Sequence, residues 1–574
     1  MAFILSSPTS VRGAVSLAGH PKTCSTGLIA DIHAKRKSAF IGSDTLLLSS
    51  KSFVSAASPL ESSSRVTTNP EVSPILNIAA DVLGGRASVA DRDQNRVVDT
   101  LIIGAGLSGL TLAHQLNKDG TDVVVTEGRD RVGGCIQSRY ENGYRWEEGP
   151  NSFQPSPTFL KFIYDVGLKD ELVLADGTLP RFVYWEGQLY PLPMSPKDIN
   201  FKLLSCQGKI RAGLGAMGLF RPPKPQGEET ISQFVRRNLG DEAFEKLIDP
   251  FCSGVYAGDA DKLSVQAAFG KLANIENLGG SLVWGSLKLA SERTRNPPPP
   301  MDPRVPKAKP GELGSFREGL RVLPETVARI LGSRVRMEWK LTQFRPSSRG
   351  TYVAEFTTPD GPRSVECRSI VLTSPSYITS QLVEPLHADA AAALADIYYP
   401  PVASVSLAYP DSALRMPLRG FGNLIPRSQK VRTLGTIWGS SLFAGRAPDG
   451  WNLTTSFIGG AKDPELGDLD EETIAELVHS DLKKTLLKDE DSIKPKVVTV
   501  FKWKKAIPQM NLGHLARIER AKALERTYPG VYLSGNYVNG VALGNCVECG
   551  VSLSTTIQQF LDKTPALEMA GSRS

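Results

Sequence analysis

The stretch Val97-Val98-Asp99-Thr100-Leu101-Ile102-Ile103-Gly104-Ala105-Gly106-Leu107-Ser108-Gly109 decides the fold. Apolar, largely β-branched residues run into a glycine turn and then into a helical pattern, as in a parallel strand covered on both faces. Gly104 permits the tight turn, Gly106 lets the backbone approach a pyrophosphate, and Gly109 lets the helix lie close on the strand. The helix reads from Leu110 to Asn117, with Leu112, Ala113 and Leu116 on one face and Gly120 as its stop. A second strand, Asp122 to Thr126, ends at Glu127, about 20 residues beyond the glycines, where a carboxylate can accept both ribose hydroxyls. The helix N-terminus sets roughly half a positive charge against the diphosphate. One glycine motif of this kind suits NAD or FAD equally.

Glycine spacing alone decides little. Gly213-Leu214-Gly215-Ala216-Met217-Gly218 has nearly the same spacing, but no strand precedes it. About 20 residues later stand Arg236 and Arg237, with no acid placed to serve a ribose. It reads as a helical stretch of small residues.

The chain of 574 residues is too long for one simple core, which predicts two or three domains. No apolar run approaches the roughly 20 residues of a spanning helix, so membrane contact would be peripheral or monotopic. The first 60 residues are rich in Ser and Ala and carry Arg12, Lys22, Lys35, Arg36, Lys37 and Lys51 against Asp31 and Asp44. That composition reads as an organelle transit peptide, the serine content favouring a plastid. Setting these six bases and two acids aside lowers the formal +6 by four, to about +2, so no nucleic-acid partner is expected. The seven cysteines are scattered except Cys546 and Cys549, which fits a reduced compartment. Cys546-Val547-Glu548-Cys549 has redox spacing without the surrounding pattern of a redox fold, and reads as helix packing. No Cys/His spacing suits zinc, and no metal is expected.

Beyond Glu127, Gly128-Arg129-Asp130-Arg131-Val132-Gly133-Gly134 suits a loop that wraps a diphosphate, and Gly149-Pro150-Asn151-Ser152 is another turn with exposed backbone donors. From Tyr184 to Leu289 the pattern is mostly helical. Phe201 to Gly227 holds Lys202, Lys209, Arg211, Arg221 and Lys224 among apolar residues and no acid. Such a stretch fits a membrane interface, and equally the basic face of an ordinary helical domain. Asn296 to Pro310 reads as an exposed, semi-rigid proline linker. A helix from Gly319 to near Gly332 follows, then strands at Val335–Leu341, Tyr352–Thr357, Ser364–Cys367 and Ser369–Thr373. Pro400 to Trp503 alternates strand signals with turns and reads as a mixed sheet flooring a cavity. Gly540-Val541-Ala542-Leu543-Gly544 opens a last helix whose N-terminus could face a flavin ring. Arg181, among Phe182, Val183, Tyr184 and Trp185, is either a carboxylate anchor or a surface arginine with a buried stem.

The R-x-G-G run at Arg131–Gly134, directly after the acid, resembles the FAD signature of the flavin amine oxidase and carotenoid desaturase superfamily. The resemblance narrows through Gly149-Pro150-Asn151-Ser152-Phe153, Pro180-Arg181-Phe182-Val183, Asp249 to Gly258, Gly314-Ser315-Phe316, Tyr398 to Val402, Gly420-Phe421-Gly422 and Leu434-Gly435-Thr436. These stand in the order found in the protoporphyrinogen oxidase family, closest to its plastid branch, and cover about residues 97 to 562. Met510 departs from the family, which usually shows an aromatic residue there.

The resemblance implies an α/β plus α+β fold: a discontinuous Rossmann-like FAD-binding domain, a mixed-sheet substrate domain and a helical, membrane-contacting domain. It lays the chain out as transit peptide and linker 1–95, FAD-binding segments 96–178, 313–380 and 506–565, a helical segment 179–295, a proline linker 296–312, a substrate sheet 381–505 and a tail 566–574. Its expected FAD contacts are Gly104, Ala105, Gly106, Leu107, Ser108, Gly109, Glu127, Gly128, Arg131, Gly133, Gly134, Cys135, Gly149, Pro150, Asn151, Ser152, Val335, Asn536, Val541, Ala542 and Leu543. Arg181 would pair with a propionate of a tetrapyrrole, with Val402, Phe421 and Gly258 lining the cavity. The implied reaction is a six-electron oxidation of protoporphyrinogen IX by FAD and oxygen, releasing hydrogen peroxide and needing no strong protein base. The implied setting is the stromal side of a plastid membrane, with a homodimer left open. Another oxidoreductase of the superfamily, or a flavin-free binding protein of the same fold, are the competing readings.

Overall fold

The computed structural model describes residues 96–564 apart from 195–197, 199 and 298–299, all within one compact unit. The presumed transit peptide, the linker up to residue 95 and the 566–574 tail lie outside the described residues.

The opening strand, Val97–Ile103, sits inside a sheet and is buried on both faces, which is why its sequence is apolar without alternation. Strand order runs Lys340–Pro346, Tyr352–Thr358, Gly361–Leu372, Val97–Ile103, Val123–Thr126, Val335–Arg336, with Val531–Leu533 paired to the end of Gly361–Leu372. Pairing around Val97–Ile103 is parallel, and a twelve-residue strand replaces the two strands expected at 364–373. Helix Leu107–Lys118 packs on one face with the C-terminal helix Leu543–Lys563, Pro157–Asp165 and Val322–Leu331. Helices Ser376–Val383 and Ala388–Ala395 cover the other face, so this domain extends past residue 380.

A second sheet has the order Lys496–Trp503, Val402–Pro410, Trp451–Gly459, Thr433–Trp438, Gly422–Leu424, Arg181–Trp185, Gln188–Pro191. Its last two strands come from the segment expected to be helical. That correction has a physical cause: Phe182, Val183 and Tyr184 are all buried, as in a strand covered on both faces, and Gly187 takes φ +80 in the hairpin turn between the strands. Helix Glu471–Thr485 backs one face.

The helical unit starts at Cys206, and the second glycine motif lies largely within helix Cys206–Ala216. At its centre Arg237 donates to both oxygens of Glu229 (2.9 and 2.8 Å) and of Glu276 (2.8 and 3.0 Å). All three side chains are buried. Arg211 and Arg221 are also spent internally, on the carbonyls of Arg236 and Arg237 and on Glu276, so they do not contribute to an outward basic face. The proline linker is likewise not free: Val305 enters the core, Arg304 binds Asp165, and the Gly311 carbonyl reaches Arg181. Among the described residues no helix is long and apolar enough to cross a membrane.

Candidate active site

The expected cofactor residues gather where the parallel strands end. Gly104 takes φ +112, and Thr373 Oγ1 donates to the carbonyls of Ile103 (2.9 Å) and Gly104 (3.0 Å). A Cβ on Gly109 would stand 2.1 Å from the Gly104 oxygen, so the helix can approach only with glycine there. Gly106 is extended and no side chain caps the helix that begins at Leu107 and Ser108. Ala105 N donates to Glu127 Oε2 (3.0 Å) and Arg129 N to Oε1 (3.1 Å). Each carboxylate oxygen keeps a lone pair for a ribose hydroxyl. Val335 pairs with Val125, and Trp339 N donates to the Glu127 carbonyl (2.8 Å), which sets that run beside the acid.

The glycine-rich loop folds over the turn. Gly133 N donates to the Ala105 carbonyl (2.8 Å), and the Arg131 guanidinium braces the loop through the carbonyls of Gly134 (3.1 Å) and Ile136 (3.4 Å). Burial holds Arg131 below the usual arginine pKa. Gly128 and Cys135 are exposed at its rim. A Cβ on Gly149 would stand 2.0 Å from the Cys135 oxygen, so Gly149, Pro150, Asn151 and Ser152 lie against this loop. The other side of Gly149 meets Trp503, whose Nε1 donates to the Glu148 carbonyl (2.7 Å).

The last helix brings the distant C-terminal residues in. Cys546 packs at Ser108, Gly550 at Thr111 and Leu112, and Gln558 donates to Asp119. Contacts rising together along both helices mean that Leu107–Lys118 and Leu543–Lys563 run parallel with their N-termini level. Ala542 caps the second helix without a side-chain bond, with Val541 and Asn536 half-buried beside it and Leu543 buried. Two positive helix ends therefore face one crevice.

Register orders the residues expected on the substrate side. Arg181 is opposite Gly422, Gly422 opposite Ile437, Ile437 opposite Thr455, and Thr455 opposite Ser406. Val402 is four residues from Ser406 on its strand and so shares that face. The same face carries Trp503, opposite Val402, and thereby Gly149. Arg181 and Val402 stand at opposite ends of it, roughly 23 Å apart, four strand spacings across and four residues along. Arg181 is half-buried, with its guanidinium 5.6 Å from the Phe421 ring centroid and Nη2 donating to the Gly311 carbonyl (2.9 Å). No carboxylate of the described residues pairs with it. Burial lowers its pKa without removing its charge. At the other end Val402 packs on Ala257 and Leu434, and Gly258 follows Ala257 against Leu263 and Gln509.

Residues outside the sequence reading also belong to this region. Glu147 and Arg446 form a buried pair beside Asn151, at 3.6 Å. Burial raises Glu147 to about 7, while Arg446, Ser138, the Leu320 N–H and Arg321 pull the other way. The only sequence signal was the doubled acid ahead of Gly149-Pro150. His514 is buried and bound to the Tyr537 carbonyl (2.9 Å), and His114 is buried edge-on to Phe162, so neither serves the crevice. Cys549 lies by Ser534 and Asn539, in keeping with a packing role for the cysteine pair.

Residues 107–557 match the model of the flavin containing amine oxidoreductases. The chain is 48% identical over 486 residues to the chloroplastic protoporphyrinogen oxidase of Nicotiana tabacum, covering 83% of this chain and 88% of that one. It is 48% identical over 478 residues to the chloroplastic protoporphyrinogen oxidase 1 of Arabidopsis thaliana, covering 81% and 89%. Among solved structures, a putative protoporphyrinogen oxidase from Exiguobacterium sp. 255-15 superposes with a TM-score of 0.65 at 24% identity, over 81% of this chain and 99% of that one.

Proposed function

The chain belongs to the flavin containing amine oxidoreductase family, and from that premise we propose that it oxidises protoporphyrinogen IX to protoporphyrin IX in the chloroplast, using FAD. The observation that carries the reading is the extent of the likeness to the plant chloroplastic enzymes, which spans most of the chain. The residues fit an FAD. A glycine at 109 is demanded by its 2.1 Å approach, Glu127 has lone pairs for a ribose, and two uncapped helix N-termini open on one crevice that would receive the diphosphate and the ring.

When bound, FAD supplies the two-electron acceptor, and oxygen restores it with release of hydrogen peroxide over three cycles. The protein's share is positional. Arg181, stacked on Phe421, takes one propionate through its planar fork. Phe421, Ile437 and Thr455 floor the macrocycle, and Val402 with Gly258 closes the far end. Holding a methylene bridge against the acceptor in a water-poor slot supplies the rate.

Membrane contact is part of this proposal. Ile210, Leu219, Phe220, Trp284 and Leu287 are exposed on the helical unit, Phe220 by 84%. Gly218 packs at Ser281, which brings the segment of Leu219 and Phe220 near the start of the helix that carries Trp284 and Leu287, and Lys202 and Lys288 are exposed on the same unit. Exposed apolar side chains with basic ones on the same unit suit an anionic lipid surface and give a hydrophobic substrate a short path.

The test is anaerobic. Adding protoporphyrinogen to purified, yellow protein bleaches the flavin, and admitting air gives fluorescent porphyrin and peroxide. Protein that binds no flavin, or flavin that stays oxidised, overturns the assignment.

A further inference from the structure

Beside Asn151 a small hollow, with about 20 Å³ open to the centre of a water molecule, lies between the two domains, lined by Trp146, Glu147, Ile437, Gly439, Phe443, Arg446 and Thr455 among others. Ile437 and Thr455 stand in the row that starts at Arg181, so the hollow adjoins the substrate face. Its opposite wall is Glu147, which is buried. Glu147 accepts from Ser138 Oγ and from Leu320 N (2.9 Å), and Arg446 Nη1 is 3.6 Å from Oε1. Two buried donors on the lining, Arg446 Nη1 and Trp146 Nε1, have no hydrogen-bond partner among the described residues. A polar-edged space of this size with buried donors suits water.

The reaction needs somewhere to put protons. In each cycle one methylene C–H bond breaks and its hydride goes to the flavin. A proton leaves as well, from a pyrrole N–H in two of the cycles and, by tautomerisation, from a further methylene C–H in the third, so that four C–H and two N–H bonds are lost in all; the electron pair stays on the substrate and the proton is released inside a water-poor slot. We infer that Glu147 takes up this proton through water in the hollow. Peroxide formation from oxygen and the flavin-held hydride consumes one proton, so the carboxyl returns to its charged form each cycle and the balance closes. Arg446 keeps the carboxyl charged between cycles, and burial places its titration near 7, where a proton can be taken and returned. The charged groups that face Glu147 are Arg446 and, further off, Arg321; its neighbours Arg145 and Glu148 turn to Glu318 and Arg139.

This inference rests on the proposed reaction, and its test separates the two. Glu147→Gln keeps an acceptor for Leu320 N but cannot take a proton. Protein with full flavin content should lose about 10²-fold in kcat at pH 8 with KM little changed. The decline of wild-type kcat below about pH 7 should vanish, and so should the infrared carboxyl band that titrates there. Gly439→Leu reaches the same path without touching the pair. A Cβ at 439 meets nothing nearer than the Leu453 oxygen at 3.4 Å, so the side chain enters the hollow. It should lower kcat while the carboxyl band still titrates. Wild-type kcat and pH profile in either flavin-loaded variant overturn the inference, whereas wild-type protein inert toward protoporphyrinogen overturns the reaction itself.

Discussion

Replacing Arg181 with methionine keeps an apolar stem over Phe421 and removes the charged fork. The guanidinium is half-buried and meets one carbonyl and one ring face, with no carboxylate partner among the described residues. A substrate propionate would thus make its charge-assisted bonds without displacing an existing ion pair. Such bonds to a charged group are worth about 1.5–3 kcal/mol. At the upper end, fitting partial burial and a two-point contact, the loss is about 10²-fold in kcat/KM. It should fall on KM, with kcat changed only a few-fold, because the walls at Ile437 and Val402 remain. Arg181→Lys keeps the charge as a single point and should fall between. Steady-state kinetics with protoporphyrinogen and its dimethyl ester form the double cycle. Esterification should penalise the wild type strongly and Arg181→Met hardly at all. A KM within about twofold of wild type in Arg181→Met, or an ester that serves the wild type as well as the diacid, refutes the reasoning. Loss of the Gly311 bond should lower Tm by only a few degrees, which differential scanning calorimetry checks.

Gly109→Ala puts a methyl 2.1 Å from the Gly104 oxygen, so the turn must open; the purified protein should lack visible flavin absorbance, and retained yellow colour would contradict the close-approach argument. Arg237→Met strands Glu229 as a buried charge, leaves Glu276 to Arg221 alone, and should cost about 3–5 kcal/mol in urea unfolding. Phe220→Glu with Trp284→Glu should abolish sedimentation with anionic vesicles while detergent-solubilised activity stays at the wild-type level.

The dinucleotide unit was legible because its code is local. Strand, turn, helix and acid follow one another within 31 residues, and each glycine answers a backbone demand set by its immediate neighbours, as the approach at Gly109 shows. The same locality explains why 213–218 could be set aside: without a strand before it, that spacing has no crevice to serve, and it folds as helix. The resemblance implied the far C-terminal residues, since what brings 536–543 to this crevice is the packing of Cys546 at Ser108, more than 400 residues away in sequence.

Other features lay beyond the chain's local pattern. Short strands among prolines at Arg181–Trp185 and Gln188–Pro191 have no periodicity long enough to outweigh the helical signals that follow. The linker looked exposed because prolines argue for solvent, yet one valine and one ion pair were enough to pin it. Amino-acid order by itself established the nucleotide turn and its acid, because those are short-range backbone requirements, while the class of chemistry came from the family resemblance of motifs spread along the chain. Only the tertiary structure placed Arg181, Ile437 and Thr455 in one row and closed Glu147 onto Arg446 beside them, because strand register and burial are set by partners hundreds of residues apart.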